Sequence, residues 1–343
     1  MKYIDSYTFT SPECTIPIID VRSPLEYDKG HIQDAINIPL FTDDERKEVG
    51  IMYKNAGRNN AIEKGLEFVG PKLRQLAISA KGLNDSPGRR VYCWRGGMRS
   101  EKMSWLFETV GLECSVLQGG YKAYRNQIIE DFTNIQNLIV LHGSTGSGKT
   151  EILCELEKMG EQIIDLEKLA NHKGSAFGHI NMGEQPTSQQ FQNNIHARLL
   201  HLDITKRIWL EAESLKVGSV NLPDALWKRM KSAMVIELDV DRTERIKRLD
   251  AEYGILPKDA LEESIMKLDG SIGKEKLTSA IQYLRDENLF EAIDIILNYY
   301  DRTYEYTKRR FRTTPSSIIK TSSGNAKTNA ELLLRQLKIN DIN

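Results

Sequence analysis

The chain has few cysteines: four in 343 residues, scattered at positions 14, 93, 114 and 154. So sparse a set excludes a disulfide-stapled fold, and no two cysteines stand at metal-ligand spacing. Cys14, Cys114 and Cys154 are expected in or near the core. There is no apolar run of membrane-spanning length. The opening residues, MKYIDSYTF, lack the apolar core of a secretion signal, so a cytoplasmic location is expected. Excess charge is also missing: 47 basic and 48 acidic residues leave a net −1, which gives no overall attraction to nucleic acid. Neither internal repeats nor low-complexity stretches occur. What remains is a length sufficient for two domains with full cores.

The most telling stretch that is present is CWRGGMRS, Cys93 to Ser100. It follows the strand-like Val91-Tyr92 and leads into a helical pattern over Glu101 to Thr109. A cysteine on such a turn faces converging backbone N–H groups at a helix N-terminus, which favour an anion and lower a thiol pKa. Gly96 and Gly97 let the backbone curl, and Arg95 and Arg99 add fixed positive charge. Cys93 therefore reads as a nucleophile, and Trp94, Gly96, Gly97 and Met98 as the rest of an anion cradle. A buried structural thiol, the commonest fate of a cysteine, would need neither the glycines nor the arginines.

The surrounding pieces are DVR at 20–22, GHI at 30–32 and GGYKAYR at 119–125. Ser23 and Pro24 open a short helix to about Lys29, and Ala35 to Ile38 reads as a strand. Strands alternating with helices predict a parallel sheet covered on both faces. This frame resembles a rhodanese-like domain, whose loop cysteine carries sulfur or selenium. The loop holds five residues between Cys93 and Arg99. That is one more than in common sulfurtransferases and is the size found in rhodanese-like phosphatases, which suggests a phosphate-bearing donor.

A second motif, GSTGSGKT at 143–150, follows the apolar run Leu138 to Leu141 and precedes a helical pattern. It is a P-loop in its expected context. Gly143, Ser144, Gly146, Ser147 and Gly148 would cradle phosphates, Lys149 would reach terminal oxygens, and Thr150 could hold Mg²⁺. A nucleotide is the default ligand, but any diphosphate fits the same physics. Asp165 and Glu167, and Glu211 and Glu213, stand at the ends of two further strands and could orient a metal or substrate. Ordinary strand-end carboxylates are an equal reading. Met234 to Leu249 reads as a strand and a basic helix bearing Arg242, Arg245 and Arg248, either a lid or simply a solvated helix. His172, Lys173, Ser175, His179 and Gln185 form a polar, glycine-rich segment past a strand end, where open α/β sheets meet their ligands.

Two basic clusters occur, Lys228, Arg229 and Lys231, then Lys308, Arg309, Arg310 and Arg312. The second lies among tyrosines, a mixture that suits single-stranded RNA as well as a charged helix with its rings in the core. The rhodanese-like frame over 1–133 and the P-loop domain over 134–343, with a helical C-terminal part, give an α/β chain of two domains.

The pairing resembles the tRNA 2-selenouridine synthase family. ERKEVGIMYKNAGRNNAIEKGL (45–66), LEKLANHKGSAFGHI (166–180), QPTSQQF (185–191) and VGSVNLP (217–223) are similar to its segments. The resemblance implies an enzyme acting on tRNA with 2-thiouridine at the wobble position. Geranyl diphosphate would first alkylate the sulfur; selenophosphate would then supply selenium, with Cys93 as the catalytic cysteine carrying it as a perselenide. It implies these co-substrates and a tRNA or isoprenoid contact at His172, Lys173, Ser175, His179 and Gln185; beside it, no tightly bound cofactor, Mg²⁺ at most, no membrane and a monomer are expected. The alternative is a plain sulfurtransferase fused to an ATP-dependent kinase or RNA-modifying domain. A non-catalytic scaffold would need neither Cys93 nor Lys149.

Overall fold

The computed structural model describes the backbone of residues 1–311 and 316–340 and the side chains of 1–305 and 316–337. Two compact units result. One is Met1–Phe132 with Gln192–His201, the other Thr133–Phe191 with Leu202–Asn343. Among the described residues no helix is long and apolar enough to cross a membrane.

The first unit is built on five parallel strands: β1 (Lys2–Ile4), β2 (Ile18–Asp20), β3 (Ile36–Asn37), β4 (Gly88–Tyr92) and β5 (Glu113–Leu117). Their order is β1-β5-β4-β2-β3. Every residue of β2 and β4 is buried, as expected of parallel strands covered on both faces. Helix Met98–Thr109 starts three residues before the predicted pattern, directly behind the cysteine loop, and lays Met103 and Phe107 on Ile19 and Val91. Strand order reverses between β2 and β4, so their carboxyl ends open the crevice where ligands of such sheets sit. Asp20 and Cys93 end up there.

A buried ion pair stiffens that crevice. Asp20 and Arg22 are 0% and 1% exposed and meet at 2.5 Å. Arg22 also donates to Gly30 O at 2.7 Å and lies 4.0 Å from the centre of the Tyr121 ring. Thus Arg22 physically joins three sequence pieces: DVR, GHI and GGY. The later segment Gln192–His201 completes the same unit. Asn193 donates to His31 O at 2.8 Å and to Tyr121 OH at 2.7 Å, and His196 contacts Asp131 at 2.7 Å.

Between β3 and β4 the insertion forms helix Asp43–Val69, broken at Gly57, whose φ is 85°. Its foot is well fixed: Thr42 and Glu45 form a capping box, and Lys72 pairs with Glu45 at 2.5 Å. Its middle, 51–60, is almost wholly exposed.

The second unit has β6 (Leu138–His142), β7 (Gln162–Ile164), β8 (Ile208–Glu211), β9 (Lys216–Val217), β10 (Val220–Asn221), β11 (Met234–Val240) and β12 (Ser317–Thr321). The parallel order is β12-β11-β6-β8-β7, and β9 and β10 form a small antiparallel pair. Chain direction across the sheet reverses at β6, so the P-loop occupies the switch point. The helical part spans Arg242–Tyr253, Lys258–Met266, Lys274–Arg285 and Leu289–Phe311, and packs around Ile246, Leu261, Ile265, Ile293 and Leu297. The chain then returns to the sheet as β12 and helix Ala326–Asn340, which buries Leu333 and Leu337 in the same core as Leu153 and Leu156.

Replacing Arg22 by Met should leave Asp20 buried and unpaired, costing roughly 3–5 kcal/mol. Urea unfolding followed by circular dichroism checks this; a loss below about 1 kcal/mol would contradict the bracing role.

Candidate functional site

Cys93 is the first residue after β4. Its carbonyl accepts from Tyr121 N at 2.9 Å, and the Trp94 carbonyl accepts from Lys122 N at 3.0 Å. The start of helix Gly120–Asn134 therefore takes up the loop's carbonyls. The N–H groups of Trp94, Arg95, Gly96 and Gly97 donate to no other group among the described residues. Close approach of the two turns demands glycine. At Gly96 φ is +65°, and a Cβ would lie 2.5 Å from Leu117 O. At Gly120 φ is +63°, and a Cβ would overlap Cys93 O and Gly96 N. Gly97 differs: its φ is −108°, and a Cβ there would meet nothing within 4 Å. Neither its backbone conformation nor its surroundings demand glycine.

Cys93 is 3% exposed, with Sγ 3.2 Å from Ser100 Oγ, which also reaches Gly97 O at 3.0 Å. Ser100 can therefore turn its proton from a carbonyl to a thiolate. Arg99 does not present its guanidinium freely to the loop. Both of its Nη atoms go to Glu26, at 2.6 and 3.3 Å. Arg46 Nε lies 3.7 Å from the same carboxylate. Burial works against the charge on Glu26, but Arg99 and Arg46 hold its carboxyl below the ordinary value. Arg95, Trp94 and Met98 are exposed around the loop, and the Trp94 ring lies 5.7 Å from that of Tyr121. Glu26 and Arg46 are absent from the sequence reading. The only local signal for Glu26 is its place as the N3 residue of a capping box, which points to a structural role.

In the second unit the P-loop runs from β6 into helix Lys149–Lys158. Gly146 and Gly148 have φ of 82° and 78°. A Cβ on Gly143 would lie 2.5 Å from Ser147 Oγ, so the loop closes only on glycine there. Lys149 Nζ bonds Gly143 O at 2.9 Å, folded back over the loop. Behind the loop stand the arginines of the basic helix. Arg245, 6% exposed, donates to Thr145 O at 2.9 Å and pairs with Asp301 at 2.5 Å. Arg248 packs against Gly148 and pairs with Glu151 at 3.0 Å, and Arg242 pairs with Asp294 and Asp301. This helix is a brace for the P-loop and not merely a solvated one.

The carboxylates gather at the same place. Thr150 Oγ1 donates to Glu167 Oε2 at 2.9 Å, and Glu167 N donates to Glu211 Oε1 at 3.0 Å. Glu211 is fully buried, and its Oε2 makes no hydrogen bond. Gly174 is wedged between Glu167 and Glu213. Asp165 is the N-cap of helix Leu166–Ala170, so Glu167 belongs to that helix and not to the strand end. Burial raises the carboxyls of Asp165, Glu167 and Glu211, and Glu167 adds to the rise at Glu211. Among the described residues no group of three or more His, Cys, Asp or Glu side chains is arranged to hold a metal ion. Thr150 and Glu167 are oxygen donors of the kind Mg²⁺ takes, with room for phosphate oxygens to complete the shell.

A cavity of about 500 Å³ starts on the P-loop and runs past Lys149, Thr150 and Glu213 to a wall of Phe177, Ile180, Met182, Leu249, Tyr253 and Leu256. Lys173 and Ser175 line it, and Lys173 pairs with Glu252 at 2.5 Å. His172 bonds Gly174 N at 3.1 Å, and burial lowers its pKa, helped by His179. His179 is exposed. Gln185 is engaged within the fold: it donates to Ala170 O and Val217 O and accepts from Ser219, tying the β9–β10 turn in place. Arg229 likewise clamps Ile135 O and Gln136 O. Cys14 is partly buried and Cys114 buried as expected, but Cys154 is exposed, because it faces the cavity from helix Lys149–Lys158. The side chains of Lys308, Arg309, Arg310 and Arg312 lie outside the described residues.

Both halves of the chain match known families. Residues 10–127 match the rhodanese-like domain family, and 136–287 match the family described as the tRNA 2-selenouridine synthase AAA domain. The chain is 34% identical over 326 residues to a tRNA 2-selenouridine synthase of Shewanella sp. strain MR-7, covering 84% of this chain and 87% of that one. It is 37% identical over 244 residues to the Shewanella denitrificans protein of the same name, covering 69% of this chain and 65% of that one. The Bdellovibrio bacteriovorus protein of that name is 39% identical over 248 residues, 69% of this chain and 64% of that one.

Burial and Glu167 together push the Glu213 carboxyl up to about 8, against an ordinary value of 4.5. Between these two values the folded chain keeps a proton that the unfolded chain has lost, so stability falls as pH rises through that window. Thermal unfolding from about pH 5 to about pH 9 should show this decline, and Glu213→Gln should flatten it. Parallel curves for the two proteins would count against the buried, charge-crowded carboxyl.

Proposed function

The chain belongs to the tRNA 2-selenouridine synthase family, and from that premise we propose that its two loops divide the replacement of sulfur by selenium into two steps. The P-loop cavity takes geranyl diphosphate. The loop N–H groups and Lys149 hold the diphosphate, and the wall around Phe177, Ile180 and Leu256 holds the isoprenoid. The observation that carries this reading is the continuity of one cavity from phosphate loop to apolar wall. A thiocarbonyl sulfur of 2-thiouridine at the wobble position attacks the allylic carbon. The S–C bond forms, the C–O bond breaks, diphosphate leaves, and the uridine N3 proton is lost. Lys149 and the N–H cradle meet the charge that develops on the leaving oxygen. Mg²⁺, held by Thr150 and Glu167, would supply further charge neutralisation of the diphosphate.

The alkylated sulfur is now a competent leaving group. At the Cys93 loop the Cys93 thiolate adds at the carbon bearing the alkylated sulfur, the C–S bond to that sulfur breaks and geranyl thiol leaves. The selenium of selenophosphate then displaces Cys93, forming the C–Se bond and returning the thiolate, with no perselenide in the reaction sequence. Water completes cleavage of the P–Se bond and inorganic phosphate is released, so no oxidant or reductant is needed. The larger loop and its four N–H groups, which find no partner among the described residues, suit a tetrahedral phosphoryl group next to Cys93.

Lys149→Ala should lower geranylation of 2-thiouridine tRNA by about a hundredfold or more while pre-geranylated tRNA is still selenated. Cys93→Ala should do the reverse. Mass analysis of the modified nucleoside distinguishes the two, and normal geranylation by Lys149→Ala would remove the P-loop from the first step.

A further inference from the structure

The donor loop has an arginine that its own sequence does not contain. Arg99, which closes the loop, is committed to Glu26 through two N–H groups. Arg46 comes from the foot of the insertion helix and is only loosely tied. Its Nε is buried, makes no hydrogen bond, and stands 3.7 Å from Glu26 Oε2, beyond hydrogen-bond length. The side chain as a whole is 39% exposed. Burial and the neighbouring Arg99 lower the guanidinium from its ordinary value, while Glu26 acts in the opposite direction. Two arginines around one carboxylate leave one positive charge uncompensated beside Arg99, the residue that closes the loop.

The position of Arg46 is not accidental. Asp43, three residues earlier, accepts from Leu25 N at 2.9 Å, and so fastens the insertion to the short helix that carries Glu26. Glu45 is held by Thr42 and Lys72. Arg46 thus projects from a helix turn fixed on both sides.

We propose that Arg46 is the guanidinium that binds the phosphoryl oxygens of the selenium donor beside Cys93, exchanging its loose contact with Glu26 for the anion. This rests on the reading of the Cys93 loop as the selenophosphate site. Arg99 then has a different role, since its link to Glu26 keeps that carboxylate from following Arg46 towards the ligand. The carboxylate serves as a holder that keeps Arg46 from collapsing onto the protein surface when no anion is bound. A guanidinium is suited to this exchange, because its planar fork can meet two phosphoryl oxygens at once.

Inorganic phosphate is the probe. The full-length protein is alkylated with iodoacetamide at rising phosphate concentration, and modification of Cys93 is followed by peptide mass analysis. Wild type should be protected by phosphate. Arg46→Gln should need at least about tenfold more phosphate for the same protection, with its alkylation rate in phosphate-free buffer changed far less. Arg46→Lys should fall between, because charge remains while the fork is lost. Equal protection of wild type and Arg46→Gln would overturn the assignment to Arg46 and leave the loop as a phosphate site. No protection of the wild type would overturn the phosphate reading itself. If Arg46→Gln does not fold, the comparison of Arg46→Lys with wild type decides: unchanged half-protection overturns the proposal.

Discussion

Both candidate sites arise from one constraint. A buried parallel strand must turn into a helix within a few residues, and the turn cannot satisfy its own N–H groups. Helix N-termini leave four such donors without intrahelical partners. In the first unit the donors over Trp94 to Gly97 find no partner among the described residues, while the carbonyls of Cys93 and Trp94 are taken by the start of helix Gly120–Asn134. In the second unit the turn is held by Lys149 on Gly143 O and by Arg245 on Thr145 O. The remaining fold serves to keep these turns from relaxing. The Asp20–Arg22 pair braces the first, and the helix carrying Arg242, Arg245 and Arg248 braces the second.

The two cradles differ in the charges set around them. The Cys93 loop carries Arg95 and Arg99, and Arg46 reaches the Glu26 carboxylate that pairs with Arg99. The P-loop faces Asp165, Glu167, Glu211 and Glu213, with Lys149 among them. The first arrangement favours a small, fully charged anion next to a thiol. The second tolerates an anion only with a cation or a proton in the set, which is consistent with the raised carboxyl groups there. An extended ligand with a charged head and an apolar tail also reduces the charge that must be met in the cavity.

Much of this was legible in the sequence because the motifs are contiguous. The strand, glycine turn and helix of each loop can be read in a few tens of residues, and the rhodanese-like and P-loop frames follow from them. The carboxylate group was legible as a list, but its convergence was not: Asp165 caps a helix, Glu167 enters that helix and Glu211 ends β8, and only the parallel register brings them to Thr150. Arg46 was not legible at all. It lies in a segment with no apolar periodicity, and its partners Glu26 and Arg99 come from distant parts of the chain. Gln185 has a second role that its sequence position did not show. A polar residue among glycines suggests a ligand, whereas its amide closes a turn. Cys154 was expected in or near the core because free thiols usually go there, but its helix face borders the cavity.

The placement of Gln192–His201 with the first unit has a consequence for biosynthesis. When Met1–Phe132 has left the ribosome, Tyr121 and His31 still lack Asn193, and Asp131 still lacks His196. These partners emerge only after the P-loop strand and helix have been made. At about 5–20 residues per second the wait is on the order of several seconds. The cysteine-bearing unit must therefore persist in an incompletely packed form while the next unit is being synthesised, and its completion is tied to the arrival of a helix encoded downstream of the P-loop.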